Sequence, residues 1–151
     1  MKILNIKNCL ILLFVISGIS CKKEDDKPSN NIKNTIQTNV QSGTWRITKF
    51  IDSDSDETHE FNGYQFTFKS SGVLNANDGV NNIDGVWNIT SSNSDDDSSK
   101  DLDFNIYFNS SNQFEEINDD WDIISNSDVK IELIDISGGN GGTDYLTFEK
   151  N

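Results

Sequence analysis

Any chemistry in this chain must come from few reactive groups. Its 151 residues include one histidine, His59, and two cysteines, Cys9 and Cys21. A Ser-His-Asp or Cys-His catalytic system needs an imidazole beside its nucleophile, so it would have to use His59. That residue sits in an acidic stretch running from Asp52 to Glu60 and reads as solvent-facing. A single imidazole also rules out a His-rich zinc site. Carboxylates are plentiful, but their spacing argues for no particular reaction. Asp52, Asp54 and Asp56 match the odd positions of a calcium loop, yet that pattern then wants glycine where Glu57 stands and a bidentate acid where Gly63 stands. The sequence leaves open only weak calcium binding at this hairpin tip. Glu115, Glu116, Asp119 and Asp120 include paired acids of the kind a glycosidase uses, but nothing sets the separation that reaction requires. The chain is therefore expected not to be an enzyme, and to carry no cofactor and no metal ion.

Aromatic side chains are the stronger signal. Trp45, Trp87 and Trp121 each stand near the start of an alternating apolar segment, and Tyr64, Phe66, Phe68, Phe104 and Phe108 line others. Large rings of this kind fill small cores. As a set they can also wall an apolar pocket open at one end. These eight residues are the candidate ligand-binding residues.

The segments that carry them alternate with period two from Gly43 onward, and no helical period competes. Eight short runs are bounded by turn residues: Thr44 to Ile51, Tyr64 to Lys69, Val73 to Asn77, Gly85 to Thr90, Leu102 to Phe108, Asp120 to Ile124, Val129 to Ile136 and Tyr145 to Glu149. In the fifth run, Leu102, Phe104, Ile106 and Phe108 share one face while Asp103 and Asn105 share the other. Short connections favour antiparallel neighbours. One apolar face per strand asks for closure around that face, which also removes exposed edges. The expected fold is all-β, an eight-stranded antiparallel up-and-down barrel over residues 43–151, with a sandwich as the rival. Eight strands leave an interior that side chains can fill, or that can hold one small ligand.

Residues 1–20 have the parts of a secretory signal: Lys2 and Lys7, an apolar run from Cys9 to Ile16, then the small residues Ser17, Gly18 and Ser20. The run is too short for a transmembrane helix. Gly18-Ile19-Ser20-Cys21 resembles a lipobox, the cleavage signal of bacterial lipoproteins, which implies a lipid on Cys21 and anchorage in a membrane. Cys9 would leave with the signal, so no internal disulfide is expected. Lys22-Lys23-Glu24-Asp25-Asp26 resembles the export signal that sends some lipoproteins to the cell surface. Residues 21–42 read as the lipidated cysteine and a flexible linker. The formal charge of −13 becomes more negative once Lys2 and Lys7 are removed. That excludes nucleic acid as a partner and argues against a protein lying flat on an anionic bilayer.

Gly43-Thr44-Trp45 resembles the Gly-x-Trp start of lipocalin and calycin barrels. Gly85-Val86-Trp87-Asn88-Ile89, then Trp121-Asp122-Ile123-Ile124 and a final Tyr145-Leu146-Thr147-Phe148, is similar to the bacterial lipocalin-like lipoproteins. The only arginine is Arg46, beside Trp45, whereas transport lipocalins cover that tryptophan with a late arginine; the small bacterial group is the better match. The resemblance implies a monomer, lipid-anchored to the outer membrane and surface-exposed, holding a small hydrophobic ligand in its barrel. The alternative is a non-catalytic envelope interaction or structural lipoprotein with a solid core. Interior volume separates the two: an open apolar cavity favours the first, a closed aromatic core the second.

Overall fold

In a computed structural model, the structure describes residues 28–91, 102–137 and 142–151. The signal, Cys21, the charged segment after it, the acidic run Asp95–Asp97 and most of the Gly138–Gly142 reversal lie outside the described residues.

The strands are β1 (Trp45–Asp52), β2 (Ser55–Asp56), β3 (Gln65–Phe68), β4 (Val73–Asn77), β5 (Asn82–Ser91), β6 (Leu102–Tyr107), β7 (Asp119–Asn126), β8 (Lys130–Ile136) and β9 (Thr143–Lys150). All pairings are antiparallel, and each of β3 to β9 lies beside its sequence neighbour. β9 returns to β1 from Trp45↔Lys150 to Ile51↔Tyr145, which closes an eight-strand up-and-down barrel from β1 and β3–β9. The eight predicted runs are these eight strands. β2 is an added two-residue arm folded onto the end of β1.

Alternation produces the interior as expected. In β6, Leu102, Phe104 and Ile106 are buried between the half-buried Asp103 and Asn105. In β1 the period slips at a bulge between Ile47 and Lys49, which lets both Ile47 and Phe50 face inward. The barrel is joined less fully at one place: β1 and β3 share the single position Trp45↔Phe66, whereas β3 and β4 share four.

One expectation is corrected. Residues 21–42 do not form a linker throughout, because Pro28–Val40 is an α-helix, α1. Ile32, Ile36 and Val40 recur every four residues and so lie on one stripe. Ile36 and Val40 are buried, with Ile32 packed against the same core. Tertiary burial of that stripe offsets a sequence rich in Asn and Thr, which are poor helix formers. Two threonines turn their hydroxyls back onto the helix, Thr35 donating to the Asn31 carbonyl and Thr38 to that of Asn34.

The barrel has two ends. α1 covers the end where β1 begins, and the Asn39 amide donates to Asn126 at 2.8 Å across that rim. The opposite end, here called the mouth, carries the β1–β2 hairpin, a 3-10 turn at Thr58–Phe61, the β4–β5 hairpin and the loop from Phe108 to Asn118.

Candidate functional site

All eight candidate ligand-binding residues face the interior, and all are buried: Trp45, Tyr64, Phe66, Phe68, Trp87, Phe104, Phe108 and Trp121 are at most 8% exposed. The structure brings them together as packing partners. Trp87 stacks on Phe104 with centroids 5.7 Å apart, and Phe68 meets both edge-on at 5.3 and 5.6 Å. Phe148 then joins Phe68 at 5.4 Å to Phe66 at 5.3 Å. These are the offset and edge-to-face distances of a filled aromatic core.

The polar handle of each tryptophan is already used. Indole N–H groups donate from Trp45 to the Val40 carbonyl at 2.8 Å, from Trp87 to Lys69 at 3.1 Å and from Trp121 to Ile117 at 3.1 Å. Each therefore ties a strand to a neighbouring connection and leaves no indole donor for a ligand. Gly85 shows why the Gly-x-Trp segment needs its glycine. A Cβ there would come within 2.6 Å of the Phe108 ring and of the Tyr107 carbonyl. The missing side chain is the space that Phe108 occupies.

The mouth is closed by residues the sequence reading passed over. The loop between β6 and β7 reads as a charged turn because of Glu115 and Glu116, yet Phe114 and Ile117 on either side of that pair are fully buried. Phe114 lies 4.8 Å from Phe108, 5.0 Å from Tyr64, 5.7 Å from Phe61 and 6.2 Å from Phe66, centroid to centroid. The loop's neck is pinned by one side chain. Asn118 accepts from the Phe108 N–H at 2.6 Å and donates to the Phe108 carbonyl at 2.9 Å. Two apolar residues bracketing two acids, i and i+3, were the available signal.

Carboxylates crowd around this plug. Partial loss of water, then the Glu57 carboxyl beside it and the charges of Glu60 and Asp52, push Glu116 above its ordinary value. Burial and the nearby Asp78 carboxylate raise the Tyr64 phenol. Asp78 itself is lowered to about 2, because it accepts from the backbone and side-chain N–H groups of Asn81 and from the Val80 N–H in its turn. At the mouth end of β7, opposite Ile106 of β6, burial and neighbouring carboxyls, Asp120 and Asp135 among them, raise Asp119 to about 6.

The remaining chemical candidates fall apart. His59 is exposed on the 3-10 turn. Asp52 and Asp56 belong to paired strands, while Asp54 sits in the tight turn between them with Ser53, both at positive φ. The Asp56 carboxylate accepts from the Thr58 N–H at 3.1 Å. No group of three or more His, Cys, Asp or Glu among the described residues is disposed to hold a metal ion. Among the crevices at the surface are one of about 330 Å³ between α1 and β7, lined by Ile32, Ile36, Ile123 and Asn126, a shallow polar one of about 470 Å³ along α1 beside Asn34 and Thr38, and one of about 210 Å³ at the thin β1–β3 join, beside Ile47 and Tyr64.

No protein-family model matches the chain. No curated protein matches it either. Among solved structures it is similar to the crystal structure of a DUF4847 family protein from Bacteroides vulgatus, at 18% identity over 74% of this chain and 94% of that one, with a TM-score of 0.47. A likeness of that size assigns neither a family nor an activity. What stands is the closed antiparallel eight-strand barrel, an architecture that can hold one small ligand.

Proposed function

We propose that this chain is a lipid-tethered, non-catalytic protein of the cell envelope, lipocalin-like in build, whose filled barrel is a rigid platform for the loops at its mouth. The packing of the interior carries this reading. Rings from four strands touch one another along the barrel, so the protein's own side chains take the place of an internal ligand. A lipid on Cys21 would set the platform's attitude. Only the six residues from Lys22 to Lys27 separate that cysteine from α1, a reach of at most ~25 Å. The α1 end would then face an outer-membrane surface and the acidic mouth would face outward. Partners would be proteins of the envelope rather than nucleic acid.

Cys21→Ala is expected to release the protein from membranes on fractionation; retention would count against the tether. Native mass spectrometry of protein from its own host is expected to give the bare polypeptide-plus-lipid mass. A stoichiometric small molecule would instead favour a second reading, in which the barrel takes a small hydrophobic ligand. One observation favours that reading: a loop side chain, not the sheet, closes the mouth.

A further inference from the structure

Of the crevices beside α1, the one against β7 has an apolar floor. About 330 Å³ in volume, it lies on branched aliphatic chains, Ile32 and Ile36 from α1 and Ile123 from β7. Ile36 and Ile123 are also core residues, each 3% exposed, so the packing beneath holds the floor in place. Among the described residues, no ring and no charged side chain lines the crevice. The volume is at the low end of small-molecule sites. A floor without rings offers no stacking partner and suits a flexible run of methylenes.

The polar rim leaves one donor over. The Thr35 hydroxyl donates to the Asn31 carbonyl at 2.9 Å, and the Ser125 hydroxyl to the Glu132 carboxylate at 2.6 Å. Asn126 uses its side-chain oxygen to accept from Asn39 at 2.8 Å. Its Nδ2 is shut off from solvent and has no partner among the described residues. A buried amide donor without an acceptor is costly and uncommon. Asn126 as a residue is only half-buried and lines the crevice, so a small turn of its side chain brings that N–H to an occupant. The occupant must then bring an acceptor. A carbonyl oxygen fits, and an ammonium does not.

We infer that the α1–β7 crevice binds a linear acyl chain, with its methylenes along Ile32, Ile36 and Ile123 and its carbonyl oxygen accepting from Asn126 Nδ2. This site is separate from the barrel interior and so from the second reading above. Two sources share the chemistry. One is a free fatty acid. The other is the lipid on Cys21, which the six residues from Lys22 to Lys27 keep within ~25 Å of α1. Only that second source rests on the tether.

The test titrates 2-decanone, a neutral chain with one carbonyl, into Cys21→Ala protein labelled at its isoleucine methyls and followed by NMR. The methyls of Ile32, Ile36 and Ile123 are expected to shift together and saturate, while those of Ile89 and Ile106 inside the barrel stay in place. Asn126→Asp keeps the oxygen that Asn39 needs but removes the donor, and should weaken binding at least about tenfold. Thr35→Trp lays a ring across the crevice from the exposed face of α1 and should abolish binding. Unshifted barrel methyls in both variants show that the fold is kept. Undiminished binding by Asn126→Asp, shifts at Ile89 and Ile106 instead, or a response that never saturates would each overturn the site. Wild-type protein bearing its lipid, held in lipid nanodiscs, assigns the source. Crevice methyls already shifted and silent to the ketone mean the protein's own acyl chain; methyls at their lipid-free positions that still respond mean a free one. A Cys21 that carries no lipid by mass would sink the tether alone and leave the crevice result standing.

Discussion

The barrel's two ends are stopped in different ways. At one end, α1 lays Ile36 and Val40 across the opening, and the next residues lead into β1, where the Trp45 indole donates back to Val40. The helix satisfies its own backbone, so the plug needs little from the rim beyond apolar contact and the Asn39–Asn126 bond. At the mouth, Phe114 and Ile117 come from irregular chain. Its backbone groups are met by side chains, chiefly Asn112 and Asn118. Both plugs bury rings or branched chains completely, yet one is a cooperative element and the other is held by a few replaceable bonds. Burial alone thus says little about which end yields first; the source of the backbone hydrogen bonds says more.

The largest expected effect breaks the helix end. Trp45 is fully buried and joins α1, β1 and β3 in one contact set. Trp45→Ala should lower stability by about 3–5 kcal/mol, read from urea or guanidinium unfolding. A change near zero would show that the helix end contributes little and that the two stoppers differ less than their contacts suggest.

Much of this architecture was legible because period two is a strong signal. β4 has the bounds read from Val73 to Asn77, and in β6 every inward residue was named in advance. The helix stopper was harder to see. Ile32, Ile36 and Val40 are only three apolar positions in a polar stretch, and their stripe has meaning only against a barrel end to cover. The mouth stopper was harder still. Phe114 and Ile117 are separated by Glu115 and Glu116, and composition reads such a stretch as solvated loop. The acids do stay exposed while the apolar pair turns inward. A loop has no period to betray this. Of the eight aromatic candidates, the sequence located all in the interior, but it could not tell a ring that walls a cavity from one that fills it.

An intermediate effect should sharpen the contrast. Asn118→Ala removes both bonds to the Phe108 backbone and leaves two part-buried groups to water or to nothing. The expected loss is about 1–3 kcal/mol. Its distribution matters more than its size. Amide hydrogen exchange should quicken across residues 109–117, while α1 keeps its protection. Equal quickening at both ends would mean that the mouth and the helix open as one unit, and the distinction between them would fall.

The smallest effect concerns pH and involves the wall near the mouth. Asp119 opens β7, where burial and the carboxyls of Asp120 and Asp135 raise it to about 6. Its proton is then held more tightly in the folded chain than in the unfolded one, where the value is near 4. By linkage, the folded state gains stability as pH falls from about 6 to about 4 and loses that gain as pH rises back through 6. Asp122 and Glu116 are raised as well and act in the same sense. Asp78, lowered to about 2, acts the opposite way and withdraws support only below about pH 4. Asp119 is only half-buried, so solvent screening keeps its own share to about 1 kcal/mol. Falling pH also relieves the repulsion within a chain of formal charge −13, so the wild-type trend alone does not isolate this carboxyl. Asp119→Asn does. The variant should melt slightly higher than wild type at pH 7 and level with it at pH 4.5, because the amide needs no proton to lie on that crowded face. A variant that melts lower at pH 7 would show instead that the charged form is welcome there, and that the carboxylates on this wall are spaced more widely in solution than their raised values require.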